Sequence, residues 1–161
     1  MANKLLDVNL INPFILATIE VLDTMAKIRP VRSGLHLKQK DERCLGDISG
    51  VIGFVGDIVG NLAVSFPKDM AIRLVSQMIN ETTEWESKYL REGIGEIANM
   101  VAGSSKGKVF SMLGHTFSIS LPSVISGKGH YVSHPSMMPV MVVEFKVSDL
   151  GLFTLELCVR K

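Results

Sequence analysis

Two late runs of the chain alternate with a period of two. Met141, Val143, Phe145 and Val147 form one, and Phe153, Leu155, Leu157 and Val159 form the other, with residues 148–151 between them. In extended backbone that spacing puts every apolar side chain of a run on one face, so the two runs read as a hairpin with one oily side. Such a ribbon is not stable alone in water. It needs more strands beside it and a second layer over its apolar face, and for an antiparallel sheet that layer is helices packed on one side.

The rest of the chain supplies those parts. Residues 33–39 alternate around Leu35 and Leu37, and residues 50–55 and 59–66 are β-rich runs joined by Gly56-Asp57, a hairpin signal. In 115–121, Phe117, Ile119 and Leu121 alternate with polar residues until Pro122 ends the strand. Residues 126–139 read as a loop. Asn12-Pro13 reads as N-cap and first position of a helix carrying Phe14, Ala17, Val21, Met25 and Ile28, which stops before Pro30. Pro67 opens a short helix through Met70, Leu74, Val75 and Met78. Thr82-Thr83 can cap a third helix over 85–112, about 40 Å long at 1.5 Å per residue, with Glu84 and Glu86 in its first turn. The expected fold is α/β of the α+β type. It is one domain over residues 1–161, a mainly antiparallel sheet of about six strands, with two long helices and one short helix on one face. The C-terminal strands, read as sheet edges, are candidates for pairing with another chain.

Composition narrows the function classes. With 47% apolar residues and a net charge of +1, the chain has enough to bury and no basic excess, which disfavours disorder and nucleic-acid binding. Cys44 and Cys158 are distant and form no CxxC pair, which fits two buried thiols in a reducing cytoplasm. The first residues, MANKLLDVNLINPF, lack a signal-peptide pattern, and no apolar run is read as long enough to span a bilayer. A cytoplasmic protein with no membrane partner is expected.

The third helix is divided cleanly. At 100° per residue, Leu90, Ile94, Ile97, Ala98 and Val101 share one stripe, while Lys88, Glu92, Glu96, Asn99, Gly103 and Lys106 share the opposite one. Glu92, Glu96 and Asn99 are spaced so that their side chains neighbour one another. Gly95, Gly103 and Gly107 lie on or beside the outer stripe, where missing side chains would let another backbone approach. The residues alone leave two readings open, a contact face or a solvated face with incidental glycines, and favour the second.

The stretch also carries a resemblance. Glu96-x-x-Asn99, with Pro122 23 positions after Asn99, resembles the signature of the CheX/CheC/FliY family, bacterial phosphatases of the phosphorylated chemotaxis response regulator. The segments GDISGVIGF at 46–54, GNLAVSFPK at 60–68 and PSVISGKGH at 122–130 are similar to the family too, nearest to the CheX branch with one motif per chain. Glu92 departs from the pattern, where the family carries Asp or Ser. The resemblance implies that Glu96 and Asn99 are catalytic. Asn99 would orient the water that attacks an aspartyl phosphate, and Glu96 would meet the active-site lysine of the receiver domain. Glu92, Gly95, Gly103 and Lys106 would touch that partner. It further implies a homodimer built through the sheets and no cofactor of the chain's own, with Mg2+ expected in the receiver. Two rival readings use the same helix face without hydrolysis: a receiver-binding module, or a flagellar-switch or scaffold component.

Other residues give weaker signals. His36, His115, His130 and His134 lack metal-ligand geometry, since the last two fall in a Pro/Gly/Ser-rich loop. Gly127-Lys128-Gly129 is too short for a phosphate loop and reads as a turn. The nine methionines are scattered and read as core filling, with Met137-Met138 a candidate exposed exception, and nothing marks Cys158 as a nucleophile.

Overall fold

The computed structural model describes residues 7–135 and 137–161. The elements in chain order are α1 (Val8–Ala26), β1 (Val31–Leu37), β2 (Ile48–Gly56), β3 (Val59–Phe66), α2 (Lys68–Ile79), α3 (Lys88–Leu113), β4 (Phe117–Ile119), β5 (Ser123–Ser126), β6 (Met141–Val147) and β7 (Gly151–Arg160). All strand pairs are antiparallel, in the order β1-β6-β7-β3-β2-β4, with β5 also on β2. The expected fold class holds, with seven strands in place of about six.

The extra strand comes from Pro122. β4 pairs with the end of β2 (Ile119 opposite Phe54) and β5 with its beginning (Ser123 opposite Val51), so one edge strand is interrupted by a bulge of one residue. Proline has no N–H to give the ladder, and at the bulge Ser120 pairs with Gly53 instead, its hydroxyl accepting from the Gly53 amide at 3.0 Å and its own amide donating to the Gly53 carbonyl at 2.9 Å.

Two helix starts differ from expectation. α1 begins earlier, at Asp7, whose carboxylate accepts from the Asn9 amide at 3.0 Å, and Pro13 lies inside the second turn. It is tolerated there because only the carbonyl of Asn9 loses a partner. α3 is capped by Ser87, whose hydroxyl accepts from the Leu90 amide at 3.0 Å, while Thr83 only supports that serine at 2.9 Å. Glu84 and Glu86 therefore precede the helix, with Glu86 at φ 64°. The expectation that no run could span a bilayer also needs correction. α1 is long and apolar enough by length and composition, yet half of it is buried in this fold, where Phe14, Ala17, Val21 and Leu22 join the core.

The C-terminal strands are not edges. β6 lies between β1 and β7, and β7 between β6 and β3, so their apolar alternation serves the core. The free edges are β1, where Val31, Leu35 and Leu37 are exposed, and the β4/β5 strand.

Helices cover one face, over Ile52, Leu62, Val64, Phe145, Leu155 and Leu157. α3 comes closest at Gly50 of β2. A Cβ there would stand 2.8 Å from Ala98 Cβ and 2.9 Å from the Ile94 carbonyl oxygen, so only glycine admits the helix at this depth. The opposite face, expected to be the less covered one, is roofed by residues 127–135 over buried polar groups. Glu156, 2% exposed, accepts from Lys38 at 2.9 Å and faces His134 at 2.6 Å, and the Cys44 thiol donates to it at 3.4 Å. Asn61 donates to the Ser133 carbonyl and turns its own oxygen to the other His134 nitrogen at 2.5 Å. Ser49 bridges Ser65 and His130, each at 2.5 Å. The polar half of the strand alternation is thus spent on internal partners.

Burial raises the Glu156 carboxyl, but bonds and charge from His134 and Lys38 outweigh it and hold the group below its ordinary value of 4.5. A depressed carboxylate stabilises the fold fully above its unfolded pKa and loses that contribution as acid titrates the folded group. Urea titrations should therefore show stability falling as pH drops below about 4.5, and Glu156→Gln should flatten that limb. At neutral pH the same variant should cost about 3–5 kcal/mol, because the buried Lys38 ammonium loses its anion.

Candidate functional site

α3 is the rod on which the candidate residues sit. Its core stripe is as expected, with Leu90, Ile94, Ile97, Ala98 and Val101 buried. Its start is tied to the sheet by Arg91, whose guanidinium donates to Ser126 Oγ at 2.8 Å and to the Val124 carbonyl at 2.9 Å. One turn on, Gly95 packs on the bulge; a Cβ there would lie 3.4 Å from Val124 Cγ2 and 3.7 Å from Pro122 Cγ. The proline 23 positions after Asn99 is therefore a neighbour of the helix beside the motif.

Glu96 is exposed and Asn99 half-buried, both off the buried stripe of α3. Among the described residues neither side chain has a hydrogen-bond or ion-pair partner. The arrangement offers a carboxylate with no internal cation and, one turn along, a neutral amide able both to donate and to accept. Glu92 is also exposed and forms an i,i+4 pair with Lys88 at 3.6 Å, which at the surface is worth a few tenths of a kcal/mol. Lys106 is half-buried and Gly103 is exposed.

Gly95 does not belong to the open face. It is buried, and the chain's own Pro122 and Val124 cover it at distances where an added Cβ would make ordinary contact, so the expected partner contact is corrected. Gly93 is tighter, because a Cβ would stand 2.6 Å from Val75 of α2. Gly103 and Gly107 differ: an added Cβ would meet nothing within 4 Å at either. A helix-interior glycine costs about 1 kcal/mol relative to alanine, and no contact within the fold offsets it at these two positions.

Residues outside the motif complete the site. An open groove of about 400 Å³ is lined by Glu20, Val21 and Thr24 of α1, by Asn99, Met100, Gly103 and Ser104 of α3, and by Ile119 of β4. Asn99 and Gly103 thus share one groove with residues of α1 and β4. Glu20 is also bound to Lys108 of α3 at 2.5 Å, which fixes the α1 wall. No local pattern in α1 marks Glu20 or Thr24, since their part in the site exists only once α1 lies against α3.

The remaining candidates are occupied elsewhere. His130 and His134 are bound into the roof of the far face. Among the described residues no group of three or more His, Cys, Asp or Glu is placed to hold a metal. Cys158 is buried, and desolvation pushes its thiol up to about 11, which leaves it protonated and unreactive at neutral pH. Met137 is exposed as expected, on the far side of the sheet's roof.

Residues 48–146 match the family described as chemotaxis phosphatase CheX. Over 125 residues the chain is 30% identical to the CheY-P phosphatase CheX of Thermotoga maritima, which covers 76% of this chain and 79% of that one. A crystal structure of a chemotaxis protein CheX from Desulfovibrio desulfuricans superposes with a TM-score of 0.85 at 35% identity, over 94% of this chain and 99% of that one. A crystal structure of a CheX–CheY–BeF3–Mg2+ complex from Borrelia burgdorferi matches with a TM-score of 0.77 over 96% of this chain and 100% of that one; at 20% identity it speaks for the fold.

Proposed function

Because the chain belongs to the CheX family of chemotaxis phosphatases, we propose that it hydrolyses the aspartyl phosphate of a phosphorylated CheY-type receiver domain. The observation that carries this reading is the pairing of Glu96 and Asn99 on the open side of α3, both without an internal partner. A water attacks phosphorus while the bond to the aspartyl oxygen breaks, giving free aspartate and inorganic phosphate. The helper need only place that water in line and keep it there. Asn99 does this through its amide, which holds a water without changing protonation. Glu96 would be repelled by the phosphoryl group, so it takes the receiver's active-site lysine and fixes the register in which Asn99 enters. Mg2+ belongs to the receiver's own acidic pocket. Glu92, Gly103 and Lys106 border the contact, and the reaction ends a cytoplasmic signal.

Two copies of the chain associate through the sheet. With the C-terminal strands interior, the edge that suits this is β1, whose ladder groups are open and whose Val31, Leu35 and Leu37 are exposed. Sedimentation equilibrium should give twice the mass of one chain, and Leu35→Lys should shift it toward one. A wild-type monomer at tens of micromolar would remove the dimer from the proposal.

Single-turnover hydrolysis of a phosphorylated CheY-type receiver tests the chemistry. Asn99→Ala should slow the bound step at least tenfold, or about 1.4 kcal/mol of barrier. A loss under threefold would free Asn99 of the water-holding role. Glu96→Ala should raise KM and lower the rate together, whereas an unchanged KM would mean that the carboxylate meets no cation.

A further inference from the structure

Resting on that phosphatase reading, we infer that the groove lined by Asn99 and Gly103 of α3 is a seat for the receiver loop that borders the acyl phosphate. One apolar side chain of that loop enters between α1 and β4. The groove is continuous with the proposed catalytic pair, because Asn99 is one of its walls. Gly103 lies one turn beyond Asn99, about 6 Å along the axis. Whatever rests over Gly103 while Asn99 reaches the phosphoryl group is therefore chain immediately flanking the partner's active site.

The lining says what fits. Val21, Met100 and Ile119 are apolar, while Glu20, Thr24, Ser104 and Asn99 are polar. That mixture suits one apolar side chain with its flanking peptide groups, and a wholly charged segment would leave the three apolar walls unsatisfied. Gly103 supplies the clearance. Its missing side chain is used by nothing in this fold, unlike that of Gly93. Glu20 and Thr24, on a helix that carries neither motif residue, become determinants of which receiver is accepted.

Stability and recognition should separate at this position. Gly103→Leu removes a helix-interior glycine and meets no neighbour at its Cβ, so the melting temperature should rise by about 2–4 °C. Its leucine would occupy the groove, so KM for a receiver phosphorylated with acetyl phosphate should rise at least tenfold, with kcat at saturating receiver reduced less than threefold. Thr24→Trp, which fills the groove from α1 without altering α3, should reproduce the KM effect. Binding of the same receiver in its BeF3–Mg2+ form, followed by fluorescence anisotropy, should weaken in parallel. If both variants keep kcat/KM within twofold of wild type while Asn99→Ala is impaired, the groove is unused and the phosphatase reading stands alone. If wild type binds the BeF3–Mg2+ receiver and both variants lose that binding, yet phosphate is not released, the seat is real and the catalytic reading fails. Absence of both binding and hydrolysis by wild type overturns the two together.

Discussion

The contact between α3 and β2 at Gly50 governs the geometry of everything functional in this protein. Ala98 and the Ile94 carbonyl occupy the space where a Cβ would be. Protein interiors are close-packed, so a helix seated this low is also held against rotation. Its buried stripe of Leu90, Ile94, Ile97, Ala98 and Val101 meets the sheet, and Glu96 and Asn99 are turned outward as a consequence. Arg91 at one end and the Glu20–Lys108 pair further along fix the axis at two more points.

Glycines in α3 have two different physical meanings. Gly93 faces Val75 too closely for any Cβ, so its cost in helix propensity is offset by packing that a larger residue would forbid, while Gly95 is covered by the Pro122–Val124 segment at ordinary contact distance. Gly103 and Gly107 face open space and gain nothing from the fold. The distinction cannot be read from the letter G. It depends on what each Cβ would meet, and that is set by elements 25 to 30 residues away in sequence for Pro122 and Val124.

The two faces of the sheet are both occupied, by different means. The helix face is filled by aliphatic and aromatic side chains, including the stacked Phe145–Phe153 pair with ring centroids 4.9 Å apart. The far face carries a carboxylate, a lysine and two histidines in one bonded layer. Buried polar groups are tolerable only when each finds a partner, and no buried side-chain nitrogen or oxygen among the described residues lacks one. This layer holds residues 127–135 down through polar contacts of His130, Ser133 and His134. It also explains why histidines that attract attention in the sequence take no part in the candidate site.

By itself the sequence determined the periodic parts: the late hairpin, the β2–β3 hairpin around Gly56-Asp57, the buried stripe of α3, and the neighbouring Glu96 and Asn99 on its outside. Those follow from local rules, since strand and helix periods place side chains whatever lies beyond. Local rules misplaced the starts of α1 and α3, where Asp7 and Ser87 outcompeted Asn12 and Thr83 as caps. They also missed β5, a strand resumed after a proline only because β2 offers a second half of its edge. Tertiary structure alone decided that β6 and β7 are interior, that Gly95 faces inward, and that α1 contributes Glu20, Val21 and Thr24 to the groove beside Asn99. Strand order and helix docking are settled by how many apolar faces must be buried at once, a global condition that no single stretch of residues encodes.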